Sequence, residues 1–217
     1  METAKSNISN LKRIVIGVIA SLVLLGTTAY FLNERYGWLS GASALPNYDY
    51  TPDEFTKLDL ALYDKQKRKQ LSYGMRKSEA EDIVGAATEE ILTTKGNSPI
   101  EILRYEDGLA IGYRLDRAVS FQVTDVGGDD RFVTMRNIGF ANGSGDPLVT
   151  YGLTPTSSEA GYLTYLFEKT GGDYQKLNEI TNDRDRKLTT YLVSFKTENN
   201  KLVSFSISDM LFAQNVM

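Results

Sequence analysis

Asn182-Asp183-Arg184-Asp185 carries acids at alternate positions, a spacing that presents carboxylates to a calcium ion. It lacks the glycine and terminal glutamate of a calcium loop, and Arg184 falls among the ligand positions. Asp129-Asp130 follows Gly127-Gly128 and has the composition of a hairpin turn. Two acids converging in one cleft would suit a small carboxylate-dependent hydrolase, and Asp183 with Asp185 is the pair that reading would need. Residue type closes most other routes. The 217 residues contain no His and no Cys. That removes Ser-His-Asp triads, Cys-His nucleophiles, zinc sites of the usual ligands, disulfides and a lipid anchor on cysteine. The sequence therefore points to a non-enzymatic protein without metal or cofactor.

The other candidate residues lie on strands. Period-two alternation predicts strands at 100–105, 109–115, 118–124, 132–136, 162–167, 191–196 and 201–207, separated by turn signals such as Glu106-Asp107-Gly108, Asp116-Arg117 and Glu198-Asn199-Asn200. The alternation sends Ile111, Tyr113, Leu115, Val119, Phe121, Val123, Val193, Phe195, Val203, Phe205 and Ile207 to the core. The opposite face then carries Arg114, Ser120, Gln122, Thr124, Ser194, Lys196, Ser204 and Ser206, a hydroxyl- and amide-rich surface suited to docking a partner.

Helices are expected ahead of these strands. Thr51-Pro52-Asp53-Glu54 has the form of a helix start, and Phe55, Leu58 and Leu62 recur at helical spacing, predicting a helix to about Gln70. Its end would carry the basic stretch Lys65, Lys67, Arg68, Lys69. A shorter helix follows Gly74-Met75, with the stripe Ala80, Ile83, Val84 and Gly85 at its C-cap. Residues 174–180 read as one or two helical turns.

The N-terminal segment reads as a membrane anchor. Residues 14–32 hold no charge, and as a helix they would span about 28 Å, close to bilayer thickness. Lys5, Lys12 and Arg13 precede the run, which predicts a cytoplasmic tail (1–13), a single span (14–32), a stalk (33–50) and an extracytoplasmic remainder. The alternative is a cleaved signal peptide with its site at Ala42-Ser43-Ala44. An acidic chain, 28 Asp and Glu against 24 Lys and Arg, is not expected to bind nucleic acid.

A repeat links the two halves. Val119-Ser120-Phe121 recurs as Val203-Ser204-Phe205, and Tyr113 corresponds to Phe195 in matching hairpins. The expected fold is α+β: two tandem helix-plus-antiparallel-sheet repeats, 51–137 and 138–217. The stretch from Gly74-Met75 through Lys77, Glu79 and Ile83 to Gly85 resembles the helix that opens domains of the SmpA/OmlA type. Those domains are similar in design to the tandem-repeat β-lactamase inhibitor protein. The run 131–139, Tyr151-Gly152, 162–165 and 203–207 is also similar to tandem-domain proteins exported by Gram-positive bacteria. Arg76 departs from the family's capping Ser or Thr, and 140–147 stands where a second helix would start. The resemblance implies a non-catalytic interaction domain of the bacterial cell envelope, of inhibitor, immunity or assembly type, whose partner is another exported protein. A module binding cell-wall polymer or peptide is the alternative.

Overall fold

The computed structural model describes residues 48–93, 99–127, 130–141, 146–159, 161–180 and 184–216. After a turn in which the Glu54 N–H donates to the Thr51 carbonyl, a 3-10 turn spans Lys57–Leu60. Thr56 caps it by accepting from the Leu58 N–H, and the Asp59 carboxylate accepts from the Thr56 N–H. The chain then enters β1 (Ala61–Asp64), reverses, and returns as β2 (Lys69–Ser72). The helix expected over 51–70 is therefore a hairpin. Asp64 accepts from the backbone N–H groups of Gln66 and Lys67, both at 2.9 Å, and Arg68 takes a left-handed φ of 55°. These features close the turn and place the basic stretch on it. The run Leu60-Ala61-Leu62-Tyr63 is buried on both sides, so its apolar spacing reports a fully enclosed strand rather than a helical stripe.

Helix α1 (Lys77–Val84) forms where expected, burying Ala80, Ile83 and Val84. The Glu79 side chain accepts from the Arg76 N–H at 2.7 Å, and Gly85 ends the helix at φ 92°. Strands β3 (Glu89–Thr93), β4 (Ile100–Arg104), β5 (Leu109–Arg114) and β6 (Arg117–Thr124) follow as a meander. Next come β7 (Phe132–Thr134), α2 (Pro147–Tyr151), β8 (Ser157–Glu159), β9 (Tyr162–Thr170), β10 (Asp173–Leu177), α3 (Arg184–Lys187), β11 (Thr190–Glu198), β12 (Lys201–Asp209) and α4 (Met210–Val216).

One antiparallel sheet of nine strands dominates, in the order β10-β9-β11-β12-β6-β5-β4-β3, with β8 paired to β9; a second sheet runs β2-β1-β7. Its inner face packs Ile111, Tyr113, Phe121, Val123, Tyr165, Phe167, Val193, Phe195, Phe205 and Ile207 against Leu62, Leu71, Phe132, α1 and Tyr151 in one core. The two Val-Ser-Phe hairpins meet where β6 pairs with β12. Phe205 opposes Val123, Ile207 opposes Phe121 and Ser206 opposes Gln122.

This fold corrects the α+β expectation. The described residues are mainly β, with 47% strand and short helices, and not two helix-plus-sheet repeats. In the second half, where the departure at 140–147 points to a helix shortened or lost, α2 has five residues, and 174–177 is strand β10 rather than a helical turn. The single-pass membrane expectation is corrected too: among the described residues no helix is long and apolar enough to cross a membrane. The span 14–32 lies outside the described residues, as do the tail and the proposed cleavage site.

Three inward assignments also change. Val203 is half-buried: a register shift at Lys196/Thr197 sets Leu202 opposite Thr197, and Leu202 rather than Val203 packs against the core. Leu115 is 82% exposed at the tip of a two-residue turn, at φ 51° beside Asp116 at 62°. A register shift at Gly112/Tyr113 pairs Tyr113 with Ala118, so Val119 turns to the outer face and joins Ile100 and Phe212.

Candidate binding cleft

The outer face of the large sheet is built in cross-strand rows. The middle row reads Thr164, Ser194, Ser206, Gln122, Ala110 across β9, β11, β12, β6 and β5. To one side of it lie Tyr162, Lys196, Ser204 and Thr124; to the other, Leu166, Leu192, Ser208, Ser120, Gly112 and Ile102. Small side chains at the centre make the face concave. It becomes a cleft of about 540 Å³, lined among others by Ser120, Gln122, Thr164, Ser194, Ser204 and Ser206. That volume is of the size that accommodates a small ligand or a few side chains.

Six of the eight residues picked from alternation (Ser120, Gln122, Ser194, Lys196, Ser204, Ser206) line this one cleft. Ser194 and Ser206 are each 8% exposed on its floor, and the Thr164 and Ser194 hydroxyls are hydrogen-bonded at 2.9 Å. Thr124, exposed opposite Ser204, is not among the lining residues. Arg114 does not line the cleft either: it forms an ion pair with buried Asp209. The same Asp209 accepts from the Tyr73 hydroxyl at 2.7 Å and from the Phe212 N–H at 2.7 Å, holding the start of α4. Burial, with the Asp209 charge beside it, keeps the Tyr73 phenol protonated well above the usual tyrosine range.

Helix α4 is the wall that alternation could not reveal. Met210 and Ala213 pack on Leu166 and Leu192, while Phe212 packs on Ile100 and Val119 and lines the cleft. Phe212 lies so close to Gly112 that a Cβ there would overlap its ring. The signal in the sequence is Asp209, an acidic residue of N-cap type at the end of a strand, which marks a helix start. Tyr162, 43% exposed, forms the opposite rim. The Lys196 ammonium lies 5.8 Å from the centre of its ring and 2.6 Å from a Glu198 carboxylate oxygen.

Lys196 and Ser204 oppose one another across the strands, which is the composition of a Ser–Lys nucleophile pair. The chemistry runs the other way. The hydrogen bond and charge of Glu198 raise the Lys196 pKa, favouring an ammonium that cannot act as a base. The lining residues include no carboxylate. Asp130 is structural: its carboxylate accepts from the backbone N–H groups of Phe140 and Ala141 and pairs with Lys65. Asp129, Asn182 and Asp183 lie outside the described residues, and among those described no group of three acidic side chains is placed to hold a metal ion.

Compared with known proteins, the chain matches no family model, no curated protein and no solved structure.

Proposed function

We propose that the protein is a non-catalytic binding module that docks another protein in the cleft on the outer face of its large sheet. The observation that carries this reading is the convergence of Ser120, Gln122, Ser194, Lys196, Ser204 and Ser206 on one concave surface. A hydroxyl-lined floor offers donors and acceptors to a partner's backbone, and an aromatic on the rim supplies contact area. Binding rather than turnover is supported by a lysine held as its ammonium by Glu198.

The test is capture by cross-linking with the full chain and with a floor-filling variant, Gln122→Arg with Ser204→Tyr. Gln122 is exposed and Ser204 is half-buried, so the variant should keep the native circular dichroism. The expected result is one stoichiometric partner that protects β6, β11 and β12 from hydrogen exchange and is lost in the variant. Retention of that partner by the variant, or enrichment of wall glycan alone, overturns the reading.

A further inference from the structure

The cleft is polar at one end and apolar at the other. Its one charged lining side chain is Lys196, beside Tyr162; at the other end stand Leu192 and Phe212. Between them the floor is Ser194 and Ser206, with hydroxyls to share. We infer that this cleft takes an extended polypeptide segment that carries a carboxylate and, four residues away, a large apolar side chain. The inference rests on the docking function proposed above and names the kind of segment that docks.

Spacing sets the segment's form. Lys196 and Leu192 are on the same face of β11, four residues apart, which is about 13 Å at the rise of a strand. In an extended segment, residues four apart project from one face at that same separation. In a helix the same pair would be only about 6 Å apart along the axis.

Charge sets one end. The Lys196 ammonium has three N–H donors and pairs with the Glu198 carboxylate, so a second carboxylate can join. Shape sets the other. The Phe212 ring fills the place a side chain at Gly112 would take, and the half-buried Ile102 and small Ala110 border it in the lining, so an apolar side chain can lie against them. A sugar is the poorer fit, because the Tyr162 ring it would stack on already carries the lysine ammonium.

The test is calorimetric titration of the full chain with a blocked five-residue peptide, glutamate first and phenylalanine last, with serine and alanine between. Binding in the micromolar-to-millimolar range is expected. Glutamine in place of the glutamate should weaken it about fivefold, the size of a partly exposed ion pair. Alanine in place of the phenylalanine should weaken it about tenfold or more. Lys196→Met should abolish the difference between the glutamate and glutamine peptides, and Glu198→Gln, which removes a competing carboxylate, should tighten the glutamate peptide. Equal affinity of the two peptides, or no binding at millimolar peptide, overturns the inference. If a captured partner still protects β6, β11 and β12 but ignores the peptide, only the segment's chemistry is wrong. If no partner protects those strands either, the docking reading falls with it.

Discussion

Arg136 and Asp59 are both fully buried, and the guanidinium donates to both carboxylate oxygens, at 2.6 and 3.0 Å. Its remaining N–H groups reach the carbonyls of Thr51, Glu54 and Thr150, and its plane lies 4.5 Å from the centre of the Tyr151 ring. One residue thus ties together the N-terminal turn, the 3-10 turn and α2, which explains why segments with little regular structure are held in place. Arg136→Met would leave the Asp59 carboxylate buried without its countercharge. The expected cost is about 3–5 kcal/mol, read as a fall in the urea midpoint. Arg136→Met with Asp59→Asn should recover part of it, because the stranded charge is gone; a single variant within about 1 kcal/mol of the parent would show the pair to be dispensable. Nothing in the sequence marks Arg136, since one arginine in a run of strand-forming residues reads as solvent-exposed.

Among elements, the hairpins were legible because their turns are local chemistry. Asn199 and Asn200 take φ of 52° and 61° between Glu198 and Lys201, the two-residue turn that asparagine favours. The Leu115-Asp116 turn has the same geometry with a poor residue for it. A leucine in the left-handed region costs about 1–2 kcal/mol, and Leu115 is 82% exposed, so packing returns little. Leu115→Gly should therefore raise stability by about 1 kcal/mol, seen as a higher urea midpoint with unchanged slope; a loss would mean that the side chain has a role the fold does not show. Misreading came where tertiary burial set the pattern. Phe55, Leu58 and Leu62 fall at helical spacing only by accident, since Leu58 lies in the 3-10 turn and Leu62 on the fully buried β1, and the edge strands β8 and β10 carry mixed sequences without a clean apolar alternation. The cleft's floor was visible as alternation on β6, β11 and β12, whereas its wall was not, because α4 is brought there by contacts distant in sequence. The glycine beneath that wall offers a direct check. Gly112→Ala should displace the Phe212 ring at a cost of about 1–3 kcal/mol. In Phe212→Ala the same change should cost little, giving a coupling energy of comparable size in the double-mutant cycle. Additive costs would separate Gly112 from α4.

Across the whole molecule, the core is unusually rich in tyrosine. Tyr113, Tyr151 and Tyr165 are among the largest fully buried side chains, and Phe55, Tyr151, Tyr165, Phe195 and Phe205 form a continuous chain of ring contacts through it. Burial raises the pKa of each of these phenols. That of Tyr165 is pushed up to about 12, with the Asp53 and Asp146 charges adding to burial; those of Tyr113 and Tyr151 lie higher still, and Tyr73 and Tyr191 shift the same way. An unfolded tyrosine ionises near 10, so above that pH the unfolded chain holds fewer protons than the native one and stability falls as pH rises. The contribution from Tyr165 is intact below pH 10 and is lost between there and about 12. Several tyrosines share the effect, so the loss of stability deepens as pH rises through this range. The expected outcome in alkali is cooperative: these phenols remain protonated in the intact protein and ionise together as the sheets come apart. Tyrosinate absorbance and far-ultraviolet circular dichroism followed over the same pH series should change in one coincident step above pH 10. Full tyrosinate absorbance with native dichroism would mean that the buried hydroxyls reach water without unfolding. The aromatic chain would then be a loosely closed layer rather than the element that joins the two sheets.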